Sequence, residues 1–286
     1  MKLLTLNTHS LQEGDPQRQL KLFASFLLEE SPGLVAMQEV NQTRTAPPLD
    51  AQGREGCVPT PASGIPLRRD NFAANTARIL RAAGVSCSWT WLPIKRGYER
   101  YDEGLALISL AAPIVQTNAC LISARDDYSD WRTRKALGVR LEGQPDWFYS
   151  VHLGWWKDED PFADQWSRLD AELAEAKAQG PVWLLGDFNA PAHVRDESYD
   201  LVRLTGWYDT YDLAAEKDSG VTVPGLIDGW RDQPEAGNGM RIDYICCSRL
   251  QAIRRSCVVY NGKRGPVVSD HYGILAEIEQ GGNRHA

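Results

Sequence analysis

The sequence predicts an α/β protein organised as one domain, with β-sheets covered by helices. Short apolar, β-branched runs alternate with stretches of helical period along the chain. No Ser/Gly/Pro-rich linker divides that succession. Carboxylates, amides and imidazoles recur where the apolar runs end, which is where α/β proteins place their chemistry.

The elements follow in order. Residues 2–7 form a buried strand, 17–30 a helix with Leu20, Phe23 and Leu27 on one face, and 34–40 a second strand that closes a βαβ unit. Residues 41–70 are rich in Pro, Gly and Thr and show no period. A loop of that length inside a domain is more often functional than idle, so substrate shaping is expected in the 43–69 insertion. A helix over 71–83 ends at Gly84. Strands are expected over 86–92, 104–109, 136–141 and 147–153, then a helix over 161–179 that turns Trp166, Leu169 and Leu173 to one side. The remaining strands are 182–186, 240–247, 256–260 and 272–278. The domain is expected to occupy 1–279, with 280–286 a disordered tail.

With 286 residues, 43% of them hydrophobic and 24% charged, the chain has globular composition and can bury a sizeable core. Its net charge of −7 argues against a non-specific nucleic-acid binder, which needs clustered Lys and Arg. Six scattered cysteines include no CxxC pair and no zinc spacing, and are expected to be free thiols. The N-terminus turns polar too early for a signal peptide, and no run reaches the roughly 18 apolar residues of a membrane span. A cytoplasmic protein without a membrane partner is expected.

Polar residues interrupt or end the apolar strands at Asn7 and His9, Gln38-Glu39, Glu103, His152, Asp187 and Asn189, Asp243, and Asp270-His271. A carboxylate beside a buried strand is costly unless a cation or hydrogen bonds offset it. One such Asp is commonly a cap or turn residue. A recurring set of carboxylates, Asn and His points instead to a hard cation such as Mg²⁺, which prefers oxygen ligands.

In order along the chain, Asn7, Gln38-Glu39, Ser150-Val151-His152-Leu153, Gly186-Asp187-Phe188-Asn189, Arg241-Ile242-Asp243-Tyr244 and Ser269-Asp270-His271 resemble the motifs of the endonuclease/exonuclease/phosphatase superfamily. Any one of these motifs is weak; their order from residue 7 to 271 is specific. The resemblance implies a four-layer α/β/β/α sandwich, two mixed β-sheets packed face to face with helices outside. It also implies roles. Glu39, with Asn7 and Asp270, would bind Mg²⁺, for which Mn²⁺ would substitute. Asp187 would orient or deprotonate the attacking water. Asn189, His152 and His271 would hold phosphate oxygens. Glu103 would orient His152, and Asp243 would orient His271. His9 stands where some relatives carry Asp.

Fold does not choose the phosphate ester. The segments 3–10, 70–73, 97–104, 152–156 and 227–230 resemble the branch of bacterial sugar-phosphate phosphatases typified by maltose 6′-phosphate phosphatase, and imply a phosphorylated sugar as substrate. Trp155, Trp156 and Trp230 stand beside proposed site residues, and an indole offers an apolar face to a sugar ring; core filling explains any one of them equally well. Arg134, in the basic stretch 132–135, suits either a phosphate contact or a solvated turn, and Arg100 falls in a branch-like segment. Two rivals stand beside the phosphatase: a nuclease or other phosphodiesterase of the same superfamily, and a non-catalytic relative that only binds a partner. A nuclease needs a long basic groove, which the sequence lacks, and a dead relative usually loses a metal carboxylate or catalytic His, none of which is missing.

Overall fold

A computed structural model describes residues 1–61, 64–227, 229–231, 233 and 239–279. Asp228 of the 227–230 segment and the expected tail at 280–286 lie outside the described residues. The chain runs β1 (Lys2–Asn7), α1 (Pro16–Glu30), β2 (Leu34–Thr43), α2 (Phe72–Ala82), β3 (Ser88–Gly97), β4 (Tyr101–Ser109), β5 (Ile114–Leu121), β6 (Lys135–Leu141) and β7 (Trp147–His152). It continues through α3 (Phe162–Glu172), α4 (Ala174–Gln179), β8 (Val182–Asp187), α5 (Ser198–Leu204), β9 (Tyr208–Asp209), α6 (Thr210–Leu213), β10 (Glu216–Lys217), β11 (Asp243–Cys247), β12 (Ile253–Val259) and β13 (Gly273–Ile278).

The strands form two mixed sheets, one ordered β10-β12-β13-β1-β2-β4-β3 and the other β5-β6-β7-β8-β11-β9. Period-2 alternation builds the layers. In β1, Leu3 points into the apolar layer between the sheets, with Leu107, Val139, Leu185 and Ile245, while Leu4 and Leu6 point outward against Phe23 and Leu27 of α1 and Ala77 and Leu80 of α2. On the far side, Tyr149, Val151 and Leu184 pack against Phe162, Trp166 and Leu169 of α3. Three apolar layers separate four layers of structure, the sandwich the motifs implied. Each fully buried Leu, Val or Phe contributes about 1.5–3 kcal/mol.

Capping explains where the helices begin. Asp15 accepts from the Arg18 amide with Pro16 at the first helical position, and Asn71 accepts from the Ala74 amide. The expected helix at 161–179 breaks at Leu173 into α3 and α4. The expected strand at 240–247 begins only at Asp243, because Met240 pairs instead with Val223 across an isolated bridge.

None of the described residues of the 43–69 insertion lines the cleft described below. Leu49, Cys57, Ile65 and Leu67 pack on the α1/α2 side of the first sheet, and Cys57 bridges Trp89 of β3, the outermost strand of that sheet. It covers a sheet edge that would otherwise expose a row of unpaired backbone groups.

Candidate active site

Two βαβ units deliver the site. The parallel pair β1/β2 joined through α1 and the parallel pair β7/β8 joined through α3 and α4 both end at the same edge of the sandwich. Asn7, His152 and Asp187 therefore converge from three strand ends and Glu39 from a bulge within β2, and Asp243 opens antiparallel β11 directly opposite Asp187.

Local backbone aims these groups. The β2–β4 register shifts between Met37 and Val40, and Glu39 takes a left-handed φ of 51° at that bulge. The irregularity lets Gln38 and Glu39 point differently. The Gln38 amide is buried between the sheets; it donates to Ser150 Oγ at 2.9 Å and to the Leu185 carbonyl at 3.3 Å. Gly186 is required by close approach, because a Cβ there would overlap the Val151 carbonyl oxygen of β7.

The floor is a connected network. Asn7 Nδ2 donates to Glu39 Oε1 at 3.0 Å and to Asp187 Oδ2 at 3.2 Å, and its oxygen accepts from the His9 amide. So oriented, Asn7 holds two carboxylates in place beneath the floor, and a metal-ligand role would require the amide to turn over. The Asn189 amide N–H donates to Asp187 Oδ1 at 2.8 Å, Asn189 Nδ2 to the Leu153 carbonyl at 2.9 Å, and Trp230 Nε1 to Asn189 Oδ1 at 3.0 Å. His271 Nδ1 lies 3.0 Å from Asp243 Oδ2, and its Nε2 faces Asp187 Oδ2 at 3.8 Å. Burial alone would lower the His271 pKa, but the Asp243 carboxylate overrides it and the ring is pushed up to about 10. His271 is thus held as an imidazolium. Burial and the nearby Arg134, Lys95 and His271 push His152 well down, so that ring is neutral. Burial and the charge of Asp243 raise the Asp187 carboxyl, which suits it to take up a proton.

The expected Glu103–His152 pairing is not formed. Glu103 sits in β4 across from Lys95 of β3 and pairs with it at 3.2 Å, so its charge is spent on the nearest cation. His152 Nε2 instead lies 3.6 Å from Asp187 Oδ2.

These groups open into a cleft of about 600 Å³. Glu39, Asp187, Asn189, Asp270, His152 and His271 reach its floor, while Glu103, Arg134, Trp155 and Trp230 reach its walls. Asp243 and Asn7 lie under the floor. Arg100 is not part of the cleft; it is exposed in the β3–β4 turn and stacks over Tyr101 at 5.2 Å. Trp156 lines a neighbouring groove beside α5 instead, though its ring lies 5.4 Å from Trp155 and 5.5 Å from Trp230. The cleft also holds Tyr98 of the 97–104 segment, and Lys95 and Trp131, which were not singled out in the sequence. A lysine after Leu92-Pro93-Ile94 was the available signal for Lys95. Trp131, 54% exposed, shows no sequence signal beyond its type.

The donor set fits a hard divalent cation. Burial raises the Glu39 carboxyl, the charges of Glu103 and Asp270 raise it further, and the Asn7 amide and the His9 ring act against them. Glu39 and Asp270 offer oxygen donors suited to Mg²⁺ or Mn²⁺. Beside them His9, Glu13 and Asp270 present ligand atoms all within 4.8 Å of one another. His9 Nδ1 pairs with Glu13 at 2.9 Å; burial would lower this ring, but Glu13, Asp270 and Glu39 push it up to about 9.

The sequence profile of the Endonuclease/Exonuclease/phosphatase family matches residues 4–271. A family protein from Leptotrichia buccalis C-1013-b superposes with a TM-score of 0.83 at 27% identity, over 98% of this chain and 100% of that one. A mannosyl-6-phosphatase from Bacteroides thetaiotaomicron VPI-5482 superposes with a TM-score of 0.66 at 15% identity, over 98% and 100% of the two chains. Truncated TDP2 from Caenorhabditis elegans gives 0.61 at 17% identity, over 98% and 97%. At those identities the last two show the shared fold. No curated protein matches the chain by sequence.

Proposed function

The chain belongs to the endonuclease/exonuclease/phosphatase family, whose members are hydrolases of phosphoesters, and on that premise we propose that it is a Mg²⁺-dependent phosphomonoesterase that releases inorganic phosphate from a small phosphorylated sugar of the maltose 6′-phosphate kind. The observation that carries this is one cleft of about 600 Å³ in which the His271–Asp243 pair, Asp187 and Asn189 lie below a wall formed by Trp155 and Trp230. A sugar ring fits such a space, and an indole face suits its C–H surface. The acidic chain supports a small ligand over a polyanion. The six unpaired thiols support a cytoplasmic setting, and no helix among the described residues is long and apolar enough to cross a membrane.

The chain's own groups divide the work. Asp187 orients a water against phosphorus and takes its proton. The water oxygen bonds to phosphorus as the bond to the sugar oxygen breaks; the departing sugar oxygen takes a proton from solvent, and Asp187 returns its own to solvent. The His271 imidazolium donates from Nε2 to a non-bridging oxygen whose charge grows in the transition state. Asn189, braced by Trp230, and neutral His152 hold the remaining oxygens. A cation at Glu39 and Asp270 would withdraw charge from the phosphoryl group.

Phosphate release from phosphorylated mono- and disaccharides, set against plasmid nicking at equal enzyme, tests the reading. Sugar phosphates are expected to turn over and plasmid to stay closed; efficient nicking with no phosphate released would replace it with a nuclease. Trp155→Ala is expected to raise KM for the best sugar phosphate several-fold more than for p-nitrophenyl phosphate, since a stacking contact contributes about 0.5–1.5 kcal/mol. Trp155 is the informative position, because Trp230 also braces Asn189 and Trp156 faces the other groove.

A further inference from the structure

The cleft wall carries two cations that the chemistry of the floor does not use. Lys95 is 9% exposed and Arg134 is 7% exposed, and both line the cleft. Their donors share one acceptor: Lys95 Nζ lies 2.9 Å and Arg134 Nη1 2.8 Å from the Trp131 carbonyl oxygen. Two donors on one oxygen stand at most about 6 Å apart. Lys95 has Glu103 beside it at 3.2 Å. Arg134 has no carboxylate partner among the described residues. Its Nη1 reaches only backbone carbonyls, of Trp131 and Thr133, and its Nε is buried with no partner at all.

The carboxylates of Glu103, Asp187, Glu39 and Asp158 act on Arg134 only from beyond ion-pair distance; a buried guanidinium with no direct ion pair is costly, and a second cation beside it adds to the cost. Burial and the charge of Arg134 push the Lys95 ammonium pKa down, which records the same repulsion. Both cations also depress the His152 ring, so they act on the wall next to a floor residue. An anion delivered into the cleft would relieve this arrangement.

We propose that Lys95 and Arg134 form an anion subsite for the doubly charged end of a terminal phosphate, and that this subsite selects phosphomonoesters over phosphodiesters. The inference rests on the phosphomonoesterase reading. A terminal phosphate carries close to two charges near neutral pH and three non-bridging oxygens. A diester carries one charge and two such oxygens, and its second ester carbon would press against two buried cations with nothing to offer them. Lys95 and Arg134 are binding residues here; the proton transfers stay with Asp187 and His271.

The test uses the full chain with Mg²⁺ and compares kcat/KM for p-nitrophenyl phosphate and bis(p-nitrophenyl) phosphate. The wild type is expected to favour the monoester. Lys95→Met is expected to lower the monoester value about 10- to 100-fold, the usual size for losing a charge-assisted hydrogen bond, with a clearly smaller loss on the diester. Inhibition by inorganic phosphate weakens in step, and Lys95→Arg recovers most of the monoester preference. Parallel losses on both esters, in a wild type that prefers the monoester, would overturn the subsite alone and leave Lys95 as a prop for the Trp131 loop. A wild type that prefers the diester overturns the subsite and the phosphomonoesterase reading together. One comparison needs no variant: on the wild type at pH 8, inorganic phosphate is expected to inhibit at least about 10-fold better than dimethyl phosphate, and equal inhibition overturns the proposal.

Discussion

His271 shows how one residue depends on another in this site. Its ring is buried, which by itself favours the neutral form, yet Asp243 at 3.0 Å holds it charged. The proton on Nε2 is therefore present before substrate arrives. Loss of one such donor typically lowers kcat by about 10²–10³, so His271→Ala is expected to fall in that range, with a lowered melting temperature because Asp243 is left buried without its partner. Asp243→Asn leaves the ring but removes the charge that keeps it protonated and oriented, and is expected to lose as much or somewhat less. Steady-state kinetics on the best substrate checks both, and near-normal turnover of His271→Ala would remove His271 from the mechanism. At this scale the sequence was legible where a motif names a partner, as with Asp243 and His271. It was not where the partner is set by strand register. Glu103 goes to Lys95 because the two face each other across β3 and β4, and neither the start of β4 nor the reach of β3 could be read from residue type.

At the scale of elements, the paired βαβ units matter most, and Gln38 ties them together. Its side chain accepts from Thr5 of β1 and donates to Ser150 of β7 and Leu185 of β8, so one buried amide links both sheets beneath the floor. Gln38→Leu keeps the volume but leaves these groups unpaired, and is expected to destabilise by about 1–3 kcal/mol, read by denaturant unfolding. A change below about 0.5 kcal/mol would mean the sheets are held by apolar packing alone. Strand β1 was legible from end to end, because Leu3-Leu4-Thr5-Leu6 is apolar on both faces and both faces are covered. The expected strand 86–92 stops short of the end of β3 at Gly97 because Pro93 follows Leu92. Proline is tolerated in an edge strand beside a bulge, and β3 is the edge strand, with its register shift between Pro93 and Lys95. Lys95 therefore lies beyond the expected strand. Strand β5 is not legible because Gln116, Thr117 and Asn118 interrupt its apolar run at the sheet edge, and α5 and α6 are too short to show a period.

Across the whole molecule, two sheets bring their strand ends to one side, so residues as far apart in sequence as Asn7 and Asp187 lie within hydrogen-bonding distance. The net charge of −7 describes the chain as a whole, while the cleft wall concentrates Lys95 and Arg134 next to an acidic floor. That opposition suits a site that takes a cation on one side and a phosphate on the other. The proposed function needs a cation at Glu39 and Asp270 before anything else in the site can act. The most direct test strips the protein with EDTA, dialyses the chelator away, and follows phosphate release from the best sugar phosphate with and without added Mg²⁺. No release is expected until Mg²⁺ or Mn²⁺ is restored, and none worth measuring in Glu39→Gln at any Mg²⁺ concentration. Full activity of the stripped protein without added metal would contradict the need for a cation.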